Sequence, residues 1–184
     1  MKHGAVWRLG WPDMPDARER ILRYLSDHNT MTLSTWEAEG PWAAAIFYAS
    51  DGFDLYFLSD PETRHIVNMA ANPRVAVTIQ EDYHEWAMIK GVQLEGTAHV
   101  VEAEDELARA VAVYVEKYPF VAGYLRLMMS PFARIAIFLD RFMEKLAFIP
   151  HLPASPARFY RIVPRRVWFT DNEVKFGNRD QLEF

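Results

Sequence analysis

The chain has 184 residues, of which 51% are hydrophobic and 14% aromatic, with no cysteine and a formal net charge of −5. This is enough apolar material for one well-buried domain and too much for a disordered chain, while the missing cysteines remove disulfides, thiolate metal sites and cysteine nucleophiles together. The acidic balance offers no basic face that could neutralise many phosphates, which excludes nucleic acid as the main partner but leaves room for one small phosphorylated ligand.

Residues 1–15 contain no apolar run of signal-peptide length, so a cytoplasmic protein is expected. Asp13 or Asp16 can cap a helix that runs to about His28, with Ala17, Ile21 and Leu25 spaced four apart on one face. Met31 to Trp36 alternates as a half-buried strand does, Glu37 to Pro41 is a turn, and Trp42 to Ala49 is a second strand whose first half carries Ala43, Ala44 and Ala45. Successive small side chains let a flat group approach the backbone, or simply let two elements pack closely. Ser50-Asp51-Gly52 closes a hairpin into a third strand at Leu55.

The stretch from Leu55 to Ile79 reads as strand, short helix, strand. Asp60-Pro61 supplies an N-cap followed by a residue suited to the first helical position, which predicts a helix from Pro61 to Asn72. Its first turn holds Thr63, Arg64 and His65. Two potential cations there oppose the positive end of the helix dipole unless an anion joins them, or unless Glu62 offsets the charge and Arg64 lies in solvent.

Arg74 to Gln80 is a fourth strand and Trp86 to about Val101 a long fifth one, interrupted by Gly91 and Gly96 where bulges would let a sheet curl. Phe159 to Val163, Val167 to Thr170 and Glu173 to Phe176 continue the β pattern. Between them, residues 103–150 read as an α-helical insertion, with helices at Asp105 to Tyr118 and Pro131 to Phe148 and no apolar run long enough for a membrane span. The expected fold is a single, mainly β domain over residues 1–184: a six-stranded antiparallel barrel with an N-terminal helix, a short helix after the third strand, and the insertion.

Catalytic motifs are missing. The glycines, all at least five apart, are too sparse for a dinucleotide fingerprint, and none is followed by the Lys-Ser/Thr of a P-loop, no serine has the flanks of a nucleophile elbow, and the six histidines are too scattered to expect a metal site. The domain therefore either only binds, or borrows its chemistry from a cofactor.

Four pieces in order carry a resemblance: Trp42 to Ala49, Leu55 to His65, Asn72 to Val75, and Ile89 to Gly96, followed by Phe159 to Asn172. Together they resemble the pyridoxamine phosphate oxidase-like FMN-binding split-barrel family, in particular its small bacterial members of the YhbP type. The resemblance implies a homodimer of split barrels with FMN at the interface and a flavin oxidoreductase acting on a small molecule. Phe57, Leu58 and Ser59 would line the flavin, Thr63, Arg64 and His65 would hold its phosphate, Ala43, Ala44 and Ala45 would lie beneath it, and Trp86 and Lys90 would face the ring or its edge. Ala43 and Tyr48 stand where the vitamin-forming oxidases place basic residues, and Trp86 where they place a glutamine, so that particular reaction is not expected. Haem or the deazaflavin F420 are alternative occupants, and a non-enzymatic flavin or haem carrier is the alternative role.

Overall fold

The computed structural model describes residues 16–128, 157–177 and 179–184. The expected helix at Pro131 to Phe148 lies outside the described residues.

Asp16 accepts the Glu19 amide at 2.8 Å and starts α1, Ala17–Asp27, which buries Ile21, Tyr24 and Leu25. Next come β1, Thr30–Glu37, and β2, Gly40–Asp51, joined by a tight turn in which Gly40 takes φ +111°, a conformation that glycine adopts without steric cost. They are followed by β3, Asp54–Ser59; α2, Arg64–Ala71; β4, Arg74–Gln80; a 3₁₀ turn at Trp86–Met88; β5, Lys90–Val100; α3, Glu104–Lys117; α4, Ala122–Met128; β6, Arg158–Asp171; and β7, Arg179–Glu183.

All strand pairings are antiparallel, in the order β3-β2-β1-β4-β5-β6, and a further β3–β6 pairing closes the six strands into a barrel, with β7 added beside β6. The architecture is the expected six-stranded, mainly β barrel with helices. Alternation along β1 and β4 points Met31, Leu33, Val75, Val77 and Ile79 inward, where they meet Leu55, Phe57, Leu94, Ile162 and Phe169. The α1 side chains join this core at the start of β1, where the Tyr48 hydroxyl donates to the Leu25 carbonyl at 2.8 Å. At the other end of β1, α2 adds Ile66 and Met69, and buried Asn68 donates to the Thr35 hydroxyl at 3.1 Å. A second core lies outside the barrel, where Ala110 and Tyr114 of α3 and Tyr118 just after it pack on Ala49, Tyr56 and Phe159.

Four local expectations need correction. Residues 61–63 form a turn, and the helix starts at Arg64, because Asp60 spends its carboxylate on the Glu62 amide (2.9 Å) and its carbonyl on the Thr63 amide (3.1 Å). The fifth strand starts at Lys90, since Trp86–Met88 is a 3₁₀ turn whose Trp86 carbonyl accepts from Asn172 at 2.6 Å. The segments predicted around Phe159 and Val167 are one continuous strand, β6. It passes Pro164 through a register shift opposite Glu95/Gly96, so the missing N–H of proline is absorbed by a bulge. Residues 172–177 are turns rather than a strand, and the last strand is β7. Among the described residues no helix is long and apolar enough to cross a membrane.

Candidate functional site

The end of β3 and the beginning of α2 converge on His65. Its Nε2 lies 2.7 Å from Ser59 Oγ and 3.1 Å from Thr63 Oγ1, and the two hydroxyls are themselves 3.1 Å apart. The Thr63 hydroxyl donates to the Asp60 carbonyl at 2.8 Å, so its oxygen faces the histidine as an acceptor. This commitment has a second effect. Thr63 is the N-cap of α2 yet makes no side-chain capping bond, and the helix has no acidic residue in its first turn. The first amides of the helix, those of Arg64 and His65, have no intrahelical acceptor, so the positive end of the dipole is left open beside Ser59 and His65.

Burial depresses the His65 pKa, so the ring is neutral at pH 7 in the free protein. No carboxylate hydrogen-bonds it among the described residues, so the Ser59–His65 pair lacks the orienting acid of a nucleophilic triad. The groups here that can serve an oxyanion are the helix amides, the Ser59 hydroxyl and a ring that can gain a proton.

Arg64 does not pair with Glu62. Its guanidinium carbon sits 4.5 Å from the ring centre of Trp42 on β2, and one terminal nitrogen is 3.9 Å from a Glu39 carboxylate oxygen in the β1–β2 turn. Sequence reasoning missed both partners, because nothing in the local pattern says that the hairpin tip folds over α2. A tryptophan directly ahead of three alanines was the available hint.

The remaining expected residues divide into groups. Ser59, Thr63 and His65 come together, while the Arg64 side chain leaves them for Trp42 and Glu39. Phe57 is fully buried in the barrel core and stacks on Tyr160 at 5.4 Å, so only its backbone can face a ligand, and Leu58 packs with the outer core. Ala43 and Ala45 are exposed on β2, with Ala44 half-buried between them. Their stretch of β2 pairs with β1, while β3 joins β2 further along, at Tyr48 to Asp51. Trp86, 79% exposed, and Lys90, ion-paired with Glu173, lie elsewhere. Lys90 is opposite Asp171 and Ser59 is opposite Arg158, so they mark the two ends of the 14-residue β6. One chain does not bring the two groups together. No cluster of three or more potential metal-ligating side chains occurs among the described residues.

A closed six-stranded antiparallel barrel, with a short helix whose N-terminus opens beside its third strand, defines a split-barrel domain. The chain belongs to the pyridoxamine 5'-phosphate oxidase family, whose profile matches residues 17–142. Over 102 residues it is 36% identical to a UPF0306 protein of Photorhabdus laumondii, covering 54% of this chain and 70% of that one. It also superposes on a heme binding protein from Mycobacterium smegmatis with TM-score 0.65 and 21% identity over 93% of this chain and 59% of the other, so it spans well under two thirds of that protein. An FAD-binding protein from Mesorhizobium loti superposes with TM-score 0.53 and 19% identity, over 79% of this chain and 87% of that one. At such identities the two superpositions establish the fold alone.

Proposed function

We propose that the chain is an FMN-binding flavoprotein that works as a homodimer and passes hydride between its flavin and a small molecule. The observation that carries this reading is the unfilled N-cap of α2. Thr63 commits its hydroxyl proton to the Asp60 carbonyl, and Ser59, His65 and the free amides of Arg64 and His65 lie around the position a capping oxygen would occupy. A flavin phosphate has the charge and the acceptor count for that position, so the residues present fit the group.

Ser59 would orient the phosphate through its hydroxyl, His65 would take up a proton facing it, and Arg64 would supply the permanent charge, while Thr63, whose proton goes to the Asp60 carbonyl, would help only by leaving the helix amides uncapped. When bound, FMN supplies reversible hydride acceptance at its N5, for which no side chain of the protein is needed as acid or base. Exposed Ala43 and Ala45 leave a strand surface that a flat ring can approach. Lys90 and Trp86 can join this site only from a second copy, because within one chain they lie at the far end of β6. A two-fold dimer would set each protomer's Lys90 end against its partner's Ser59 end, which is how both groups can serve one flavin.

Purified protein mixed with FMN tests the reading. Binding is expected to quench flavin fluorescence and raise the melting temperature, and anaerobic NADH or NADPH then separates an enzyme from a carrier. A protein that ignores FMN but develops a Soret band with haem, or binds deazaflavin F420 in its place, would overturn the cofactor assignment.

A further inference from the structure

We infer that Trp42 and Glu39 set the position and availability of Arg64, and through it the preference for a phosphorylated over an unphosphorylated flavin; this rests on the function proposed above. Arg64 occupies the first position of α2, where its charge is opposed by the helix dipole. It is nevertheless not left to solvent. The Trp42 ring lies under the guanidinium at 4.5 Å, and Glu39 approaches one edge at 3.9 Å.

Both partners are held by the hairpin backbone. The Glu37 carboxylate accepts the amides of Ala38 and Glu39 at 2.7 and 2.9 Å, Gly40 makes the turn, and Trp42 is registered opposite Thr35. The resting place of Arg64 is therefore fixed by β1 and β2 rather than by the flexible arginine itself.

The two partners act in opposite senses. A guanidinium stacked on an indole keeps its in-plane N–H donors free, so Trp42 preorganises Arg64 for a phosphate without competing for it. Glu39 stands 3.9 Å from one of those donors, beyond hydrogen-bond reach, and carries the same charge as the ligand, so it competes with an arriving phosphate for the guanidinium electrostatically. In this chain β2 thus contributes to the anion site with a π face and no cation of its own.

The test is a comparison of FMN and riboflavin affinities, by fluorescence quenching, in wild type, W42L, W42F, E39Q and R64A. W42L is expected to weaken FMN roughly fivefold while leaving riboflavin unchanged, and W42F to recover most of the loss. E39Q is expected to tighten FMN by about twofold, more at low salt than at high salt. Both effects are expected to vanish in the R64A background, where there is no guanidinium to position. Equal weakening of both flavins by W42L, or a W42L effect that persists in R64A, would overturn the inference, since Trp42 would then act on the ring or on folding. A wild type that discriminates between the flavins while W42L and E39Q leave that discrimination untouched overturns this inference alone. A wild type that does not discriminate overturns the phosphate site itself, and the inference with it.

Discussion

FMN affinity should rise as pH falls from 8 toward 6.5, and His65 is the cause. In the free protein, burial holds the His65 pKa below its ordinary value near 6.5, and its Nε2 faces two hydroxyl oxygens. A phosphate dianion beside the ring favours the imidazolium, so binding draws in a proton. One proton taken up gives a slope of at most about tenfold in affinity per pH unit, and the new charge-assisted hydrogen bond is worth about 1.5–3 kcal/mol. The rise should level off near pH 6, where the phosphate itself takes up its second proton. The stability of the free protein should run the other way. The depressed folded-state pKa means that the unfolded chain binds the extra proton first, so the His65 contribution is lost as pH falls through the unfolded value near 6.5. Isothermal titration of FMN at several pH values, in buffers of different ionisation enthalpy, reads both the affinity and the proton uptake. His65→Gln should flatten the curve while leaving riboflavin binding unchanged. A flat wild-type profile with no proton uptake, or a slope that survives in His65→Gln, would refute the reasoning.

Three further outcomes follow from the fold. A Cβ added at Gly96 would lie 2.2 Å from the Val163 carbonyl oxygen and 2.9 Å from Pro164 Cα, both backbone atoms of the β6 bulge, so Gly96→Ala should cost about 3 kcal/mol in urea unfolding, and a loss below about 1 kcal/mol would contradict the packing. Burial against α1 pulls the Lys117 amine down to about 8, partly opposed by Asp27, while its ammonium donates to the His28 carbonyl. Because the unfolded chain then holds more protons between pH 8 and the ordinary lysine value, stability should rise from pH 8 to 9.5, before the buried tyrosines reverse the trend, and Lys117→Met should remove the rise. If Lys90 reaches the flavin from a partner, FMN affinity should fall on dilution below the dimer dissociation constant, and Lys90→Ala should weaken FMN in the dimer only. Sedimentation and titration at matched concentrations would expose a concentration-independent affinity, which contradicts that arrangement.

What the sequence made legible follows from how local each signal is. Alternation in β1 and β4 and the four-residue spacing in α1 are properties of short segments facing one core, and they located the elements. The start of α2 was misplaced because Asp60-Pro61 is equally good at opening a helix and at making a turn, and the choice fell to hydrogen bonds up to three residues ahead. Pro164 looked like the end of a strand, yet β6 continues because Gly96 on the neighbouring strand has no side chain to obstruct the bulge. At the site, Ser59, Thr63 and His65 lie within seven consecutive positions, so strand, turn and helix geometry suffices to bring them together. Trp42 and Glu39 come from the other side of a hairpin, and their meeting with Arg64 depends on how β1 and β2 lie over α2, a tertiary relation with no sequence period.

The phosphate cradle at the start of α2 is most directly tested by the ratio of riboflavin to FMN dissociation constants in the wild-type protein, measured by titration at pH 7. The two ligands differ only in the phosphate, and the unfilled N-cap with Arg64 and His65 predicts FMN binding at least about tenfold tighter. Equal affinities would place the flavin elsewhere or exclude it as the ligand of this cradle.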